Sequence, residues 1–191
     1  IMPLLDSLGI IQGDGSGDYR LDDYVSREEM AKITVNSSSH KDETAVGLKV
    51  SPFKDIDASR WSSAYILNGT RNGLFNGYLD GTFKPYDTVT YEEAVTMMLR
   101  VLGYSDDEFG ISYPYGQVNK AVSLKMTDNV NSDYGYPMTR RQVARLVYNT
   151  LTAQTKTGGD LINIFDAQIV EDAIIIATSA EDSSLGSDKV Y

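Results

Sequence analysis

Two arginines occupy positions from which a protein readily grips an anion. Arg27 follows Ser26 and Arg140 follows Thr139, and Glu29 or Gln142 stands three residues after the hydroxyl. That pairing is a capping box, so each arginine opens a helix. Free backbone N–H groups and the positive end of the helix dipole attract negative charge there. A guanidinium adds two parallel donors suited to a carboxylate. The same frame recurs at Thr90 and Glu93, with Tyr91 in the arginine's place, which predicts an anion contact weakened there or rebuilt for stacking. Ion pairing with neighbouring carboxylates explains Arg27 and Arg140 equally well.

Catalysis finds little support. His40, the only histidine, lies in a polar stretch ill suited to a Ser–His–acid triad. Carboxylates are plentiful, so composition leaves a glycosidase pair open, but most sit at capping positions where the helix dipole accounts for them. With no cysteine, disulfides and Cys-ligated zinc are excluded. Asp14-Gly-Ser-Gly-Asp18 invites calcium, yet an EF-hand loop wants Gly sixth and Glu twelfth, places held by Tyr19 and Val25. The expectation is a non-enzymatic chain with no cofactor and no metal.

These residues belong to an internal repeat. Gly9-Ile-Ile-Gln-Gly13 matches Gly73-Leu-Phe-Asn-Gly77 at an offset of 64 residues. Without a gap, Gly17 then falls on Gly81, Tyr19 on Phe83, Arg20 on Lys84, Asp23 on Asp87 and Val25 on Val89. A third copy aligns Met138-Thr-Arg-Arg-Gln142 with Val89-Thr-Tyr-Glu-Glu93 at an offset of 49, with a shorter, worn loop before it. After each cap the apolar residues recur at helical spacing: Met30 and Ile33; Ala94, Met97, Met98 and Val101; Val143, Leu146, Val147 and Leu151. A second helix precedes each loop. Leu4, Leu5 and Leu8 mark the first. Trp61, Ala64, Tyr65 and Leu67 mark the second, capped by Asp57 or Ser59. Val118, Ala121 and Val122 mark the third.

Two segments stand outside the repeat. Asn36 to Val50 is polar and reads as a flexible insertion. From Thr155 onward, Ile162, Ile164, Ile169 to Ile176 and the turn around Ser183–Gly186 read as strands leading into another domain. The chain has 191 residues, enough for one medium or two small domains, and its 41% hydrophobic content can fill a core. A net charge of -10 disfavours nucleic acid and anionic membranes. No apolar run reaches the roughly 18 residues of a membrane helix. The abrupt start at Ile1 and end at Tyr191 read as an excised fragment of something longer.

Phe53-Lys-Asp-Ile56, Trp61, Tyr65-Ile66, Gly73-Leu-Phe-Asn-Gly-Tyr-Leu-Asp-Gly-Thr-Phe-Lys-Pro85 and Val89-Thr-Tyr-Glu-Glu93 together resemble an S-layer homology repeat. Ser26-Arg-Glu-Glu29 and Thr139-Arg-Arg-Gln142 resemble that family's Thr-Arg-Ala-Glu signature, and Leu102-Gly-Tyr104 its usual repeat end. The resemblance covers roughly Leu4 to Ala153. It implies a mainly α fold: a pseudo-threefold trimer of helix–loop–helix repeats around a central three-helix bundle, followed here by a short β-rich C-terminal segment. The repeats would span 1–36, 51–104 and 105–154, with the insertion at 37–50 and the β-rich segment at 155–191. It also implies a bacterial cell-surface anchor whose grooves bind secondary cell-wall polysaccharide, commonly through a pyruvylated sugar.

Ligand-binding candidates are then Arg27, Arg140, Arg20, Lys84, Gly13, Gly77, Gly81, Asp80, Trp61 and Tyr91. Several have plainer roles. The glycines supply tight turns, Asp80 and Asp87 cap turns, and Trp61 either anchors the core or stacks on a sugar face. Two alternatives stay open: subunit contacts within a surface layer, and the anchor part of a larger surface hydrolase.

Overall fold

The computed structural model describes residues 1–43, 51–110, 112–170 and 173–175. Among these are six α-helices: α1 (Met2–Ser7), α2 (Arg27–Asn36), α3 (Ser63–Arg71), α4 (Tyr91–Val101), α5 (Tyr115–Ser123) and α6 (Arg140–Leu151). The described chain is mainly helical. α2, α4 and α6 start where the capping boxes predict. Glu29, Glu93 and Gln142 accept hydrogen bonds from the backbone N–H groups of Ser26, Thr90 and Thr139 at 2.8, 3.0 and 2.8 Å. Each box satisfies donors that a helix start otherwise leaves orphaned.

The residue before each cap is extended, and these three short stretches bond to one another in a cycle. Val25 N–H donates to the Met138 carbonyl (3.0 Å), Met138 N–H to that of Val89 (3.0 Å), and Val89 N–H to that of Val25 (2.9 Å). The pattern repeats two residues on. Arg27, Tyr91 and Arg140 donate their N–H groups to the carbonyls of Asp87, Tyr136 and Asp23 at 2.8, 3.0 and 2.9 Å. Val25, Val89 and Met138 are wholly buried. Below them α4 packs on both α2 and α6. Met30, Phe75, Phe83, Met98, Leu146 and Leu151 belong to one continuous core. Each such side chain contributes about 1.5–3 kcal/mol through burial.

The leading helices pack outside this centre, α3 on α2, α5 on α4 and α1 on α6. α3 begins at Ser63, later than the sequence predicts, because Asp57 turns back to accept from the Ser59 N–H (2.8 Å) and hydroxyl (2.6 Å). Trp61 therefore precedes the helix, with 52% of its surface exposed, and is not a core anchor. In α5, Val118 and Ala121 are buried while Val122 faces out.

The polar segment after α2 is folded back, not loose, as far as residue 43. Ser37 and Ser38 are buried and donate to the Ile33 and Val35 carbonyls, and Asn68 of α3 donates to the carbonyls of His40 and Glu43. The rest of the expected insertion, 44–50, lies outside the described residues.

Past α6, Leu161–Phe165 forms a 3₁₀ turn where the sequence suggests a strand. A short apolar run is ambiguous between the two. Here the Leu161 N–H donates to the Ala153 carbonyl (3.1 Å) and brings Leu161 and Ile162 down into the core. Two three-residue strands follow, β1 (Gln168–Val170) and β2 (Ala173–Ile175), antiparallel with Ile169 opposite Ile174. The predicted turn around Ser183–Gly186 lies outside the described residues.

Two outcomes test this packing. A Cβ on Gly77 would overlap the Phe53 ring and stand 2.6 Å from the Thr82 carbonyl, whereas on Gly13 the nearest atom is 3.1 Å away. Gly77→Ala is expected to lower stability by about 1–3 kcal/mol, and Gly13→Ala by less, in urea unfolding. Glu108 accepts from Ser105 N–H (2.8 Å) and pairs with Lys156 (2.9 Å), which holds its carboxyl down at about 2 against an ordinary 4.5. Its stabilising contribution is therefore present above about pH 4.5 and lost as pH falls towards 2. The melting-temperature gap between wild type and Glu108→Gln should be present at pH 6 and close over that acid range.

Candidate functional site

Two of the three loops are built alike. Gly17 and Gly81 occupy equivalent places with φ of +90° and +79°, where a side chain would be strained. Arg20 and Lys84 also share a left-handed backbone, φ 49° and 55°, which only local bonding makes tolerable. The Phe83 and Lys84 N–H groups both donate to the Asp55 carboxylate at 2.8 Å. Lys84 holds its ammonium 4.2 Å from the Tyr78 ring centroid, and Arg20 pairs with Asp23 at 2.6 Å. Asp80 caps its turn, accepting from the Thr82 N–H and hydroxyl at 3.0 and 2.6 Å.

The first residue of each central helix reaches the loop of a different repeat. Arg27 is 3% exposed. Its Nε donates to the Phe83 carbonyl (2.9 Å), its Nη2 to that of Asn76 (3.4 Å), and its Nη1 pairs with Glu93 (2.6 Å). Arg140 does the same to the first loop. Its Nε donates to the Tyr19 carbonyl (2.8 Å), its Nη2 to that of Gln12 (2.8 Å), and Glu29 stands 3.7 Å away. Tyr91 repeats the reach without charge. It is 6% exposed, packs edge-on to Tyr134 of the third loop at 6.2 Å, and burial raises its phenol pKa.

Grooves open beside these contacts. Groove 1, about 330 Å³, brings together four predicted residues from distant parts of the chain: Gly13 and Arg20 of the first loop, Trp61 before α3, and Arg140. Glu29 and Lys32 of α2 complete its polar wall. Groove 2, about 240 Å³, gathers Arg27 and Gly77 with Tyr78, Glu93, Arg100 and Tyr113. Groove 3, about 570 Å³, runs beside α6 and is lined by Arg141, Gln142 and Arg145, with Asn129 and Asn131, by Leu21 and Asp22 of the first loop, and by Ile1 and Met2. Lys84, Gly81 and Asp80 shape the second loop without lining groove 2, and Tyr91 does not line groove 3.

Sequence reasoning missed three wall residues. Lys32, Thr96 and Arg145 are equivalent under the offsets of 64 and 49, and each lines its own groove. The repeat register alone could have found them. Tyr113 stands two residues before α5, as Trp61 stands two before α3, and takes the corresponding place in groove 2. Desolvation, then the charges of Glu93 and Glu92, push its phenol up to about 12. Among the described residues, no cluster of three or more His, Asp or Glu is placed to hold a metal ion. Nor is any helix among them long and apolar enough to cross a membrane.

Loops clasped between capped helices, with polar grooves beside them, make up the described part of the chain. Residues 52–95 match the model of the S-layer homology domain. The chain is 27% identical to the Middle cell wall protein of Brevibacillus brevis over 77% of its own length. It is 27% identical to a Cell surface protein of Thermoanaerobacter kivui over 97% of its length, and 32% identical to a Cellulosome-anchoring protein of Acetivibrio thermocellus over 48%. The chain spans only 14%, 25% and 21% of those relatives, respectively.

The clasp has a measurable consequence. Removing the Arg27 side chain takes the buried ion-pair partner from Glu93 and the donors from two loop carbonyls. Arg27→Ala is expected to cost about 3 kcal/mol, read as a lowered urea midpoint, while Arg20→Ala, an exposed pair, shifts it little.

Proposed function

We propose that this chain is a non-catalytic module that anchors a larger protein to the bacterial cell surface by binding secondary cell-wall polysaccharide in its inter-repeat grooves. In this reading 1–36, 51–104 and 105–154 are three repeats of one pseudo-threefold unit around a central bundle, and the surroundings are extracellular. The segment from 155 onward leads into a following domain. The observation that carries it is the make-up of groove 1. Residues far apart in sequence converge on one polar cleft with an aromatic ring at its edge and cations along its wall. The exposed Trp61 ring offers an apolar platform for sugar C–H groups. Arg140 and Arg20 offer charge to an acidic substituent such as a pyruvate ketal.

Surface-layer assembly is the second reading. Exposed Tyr24, Tyr86 and Tyr136 favour it, as does the name of a relative, a Surface layer protein of Brevibacillus choshinensis. In either reading the acidic balance of the chain works against nucleic acid.

The test is a sacculus pull-down before and after chemical removal of the secondary polysaccharide. Binding should depend on the polysaccharide and fall about tenfold or more in Trp61→Ala and Arg140→Ala, in line with a lost charged hydrogen bond of roughly 1.5–3 kcal/mol. Circular dichroism of each variant separates lost binding from lost fold. A folded wild type that ignores intact sacculi would sink the anchoring reading and leave assembly in its place.

A further inference from the structure

Trp61 is the only tryptophan in the chain, and the residues on either side of it are both fastened to one carboxylate. Glu28 stands at the second position of α2 and is 6% exposed. The Arg60 guanidinium meets it as a fork, Nε donating to one oxygen (2.6 Å) and Nη2 to the other (2.7 Å). The hydroxyl of the buried Ser62 donates to the same carboxylate at 2.6 Å. The remaining nitrogen of Arg60, Nη1, donates to the Tyr86 hydroxyl (2.6 Å), and the guanidinium lies 4.2 Å from the centroid of that ring. One carboxylate thus ties the turn before α3 to the start of α2, and a tyrosine of the second loop closes over the arginine.

This is not a surface ion pair. The side chains of Glu28 and Arg60 are only 8% and 19% exposed, so solvent screens them weakly. A forked guanidinium–carboxylate pair also fixes direction as well as distance. Between two anchored neighbours the backbone of Trp61 has little freedom. Its ring meets Tyr65 edge-on at 6.4 Å and borders groove 1.

The other two central helices use their second position differently. Glu92 of α4 accepts from the Gly135 N–H at 2.9 Å, and Arg141 of α6 pairs with the exposed Asp22 at 3.0 Å. Tyr113, the aromatic residue beside groove 2, is followed by Pro114, which has no side-chain donor to offer a carboxylate. The grip on both neighbours of an aromatic wall residue belongs to Glu28.

We propose that Glu28 is the positioning residue of groove 1: by gripping Arg60 and Ser62 it holds the Trp61 indole ready to stack on the apolar face of a sugar. This rests on the reading that the groove binds wall polysaccharide. Glu28 does not line the groove and acts through its neighbours. A ring held before binding loses less conformational freedom when the sugar arrives, so the grip raises affinity without adding a contact.

The single tryptophan makes the test direct. Fluorescence anisotropy decay of the unliganded chain, excited selectively over tyrosine, reads how freely the Trp61 ring moves on the nanosecond scale. The fast component should be small in wild type and grow about twofold or more in Glu28→Gln. Arg60→Lys keeps the charge and loses the fork, so it should grow there as well, and this variant decides the matter if Glu28→Gln fails to fold. Glu92→Gln, which disturbs the same helical position on α4, should leave the decay unchanged. Circular dichroism checks the fold of each variant. On sacculi bearing the polysaccharide, Glu28→Gln should bind about three- to tenfold more weakly than wild type. It should add nothing to the loss in Trp61→Ala, because it acts through that ring. An unchanged anisotropy decay in the folded variants would overturn the grip. Undiminished binding by Glu28→Gln, or an equal further loss on top of Trp61→Ala, would overturn the route through Trp61. Wild type that ignores intact sacculi would sink the anchoring reading and this role with it, even where the decay shows the ring to be held.

Discussion

The closed cycle of backbone hydrogen bonds among Val25, Val89 and Met138 is the constraint on which the rest depends. Three segments far apart in sequence must meet at once, because each supplies the acceptor another requires. The N–H and carbonyl groups are buried with their side chains, so an unmade bond leaves an unsatisfied polar group away from water. Each segment ends in a capped helix, and the cap fixes the direction in which that helix departs. Three helix starts are thereby gathered at one point and their apolar faces directed into a shared core.

The same junction sets the loops. Arg27 and Arg140 stand one residue inside their helices, and the cycle delivers each to the loop of a different repeat. Their guanidinium groups bind loop carbonyls that no strand or helix would otherwise satisfy. Tyr91 fills the equivalent place by packing on Tyr134. The fastening is conserved in geometry while its chemistry changes from charge to ring. The residue that most resembles a ligand contact in sequence is thus first a structural clasp. In groove 2 it is nearly inaccessible, and in groove 1 it reaches the cleft as well.

Charge placement follows from this division. An acidic chain binds an anion only where it concentrates cations locally, and the walls of the grooves do so differently. Groove 1 combines mixed charge with an exposed indole, groove 2 pairs its arginines internally, and groove 3 sets an exposed Arg141–Asp22 pair beside Arg145. Three capped helices that start alike can thus border three different surfaces.

The amino-acid sequence by itself determined the repeat, its register, the three central helix starts and the stripes that face the core, since capping, helical periodicity and turn glycines act over a few residues. It also singled out Gly13, Arg20, Trp61 and Arg140, which share one cleft. Only the tertiary structure decided which repeat each groove borrows from. It showed that Trp61 lies on the surface ahead of its helix, that residues 37–43 fold onto α3, and that Leu161–Phe165 turns into the core as a 3₁₀ segment. The physical reason is range: a cap or a turn is settled by its neighbours, whereas the exposure and pairing of a side chain are settled by whatever the closed cycle brings against it from elsewhere in the chain.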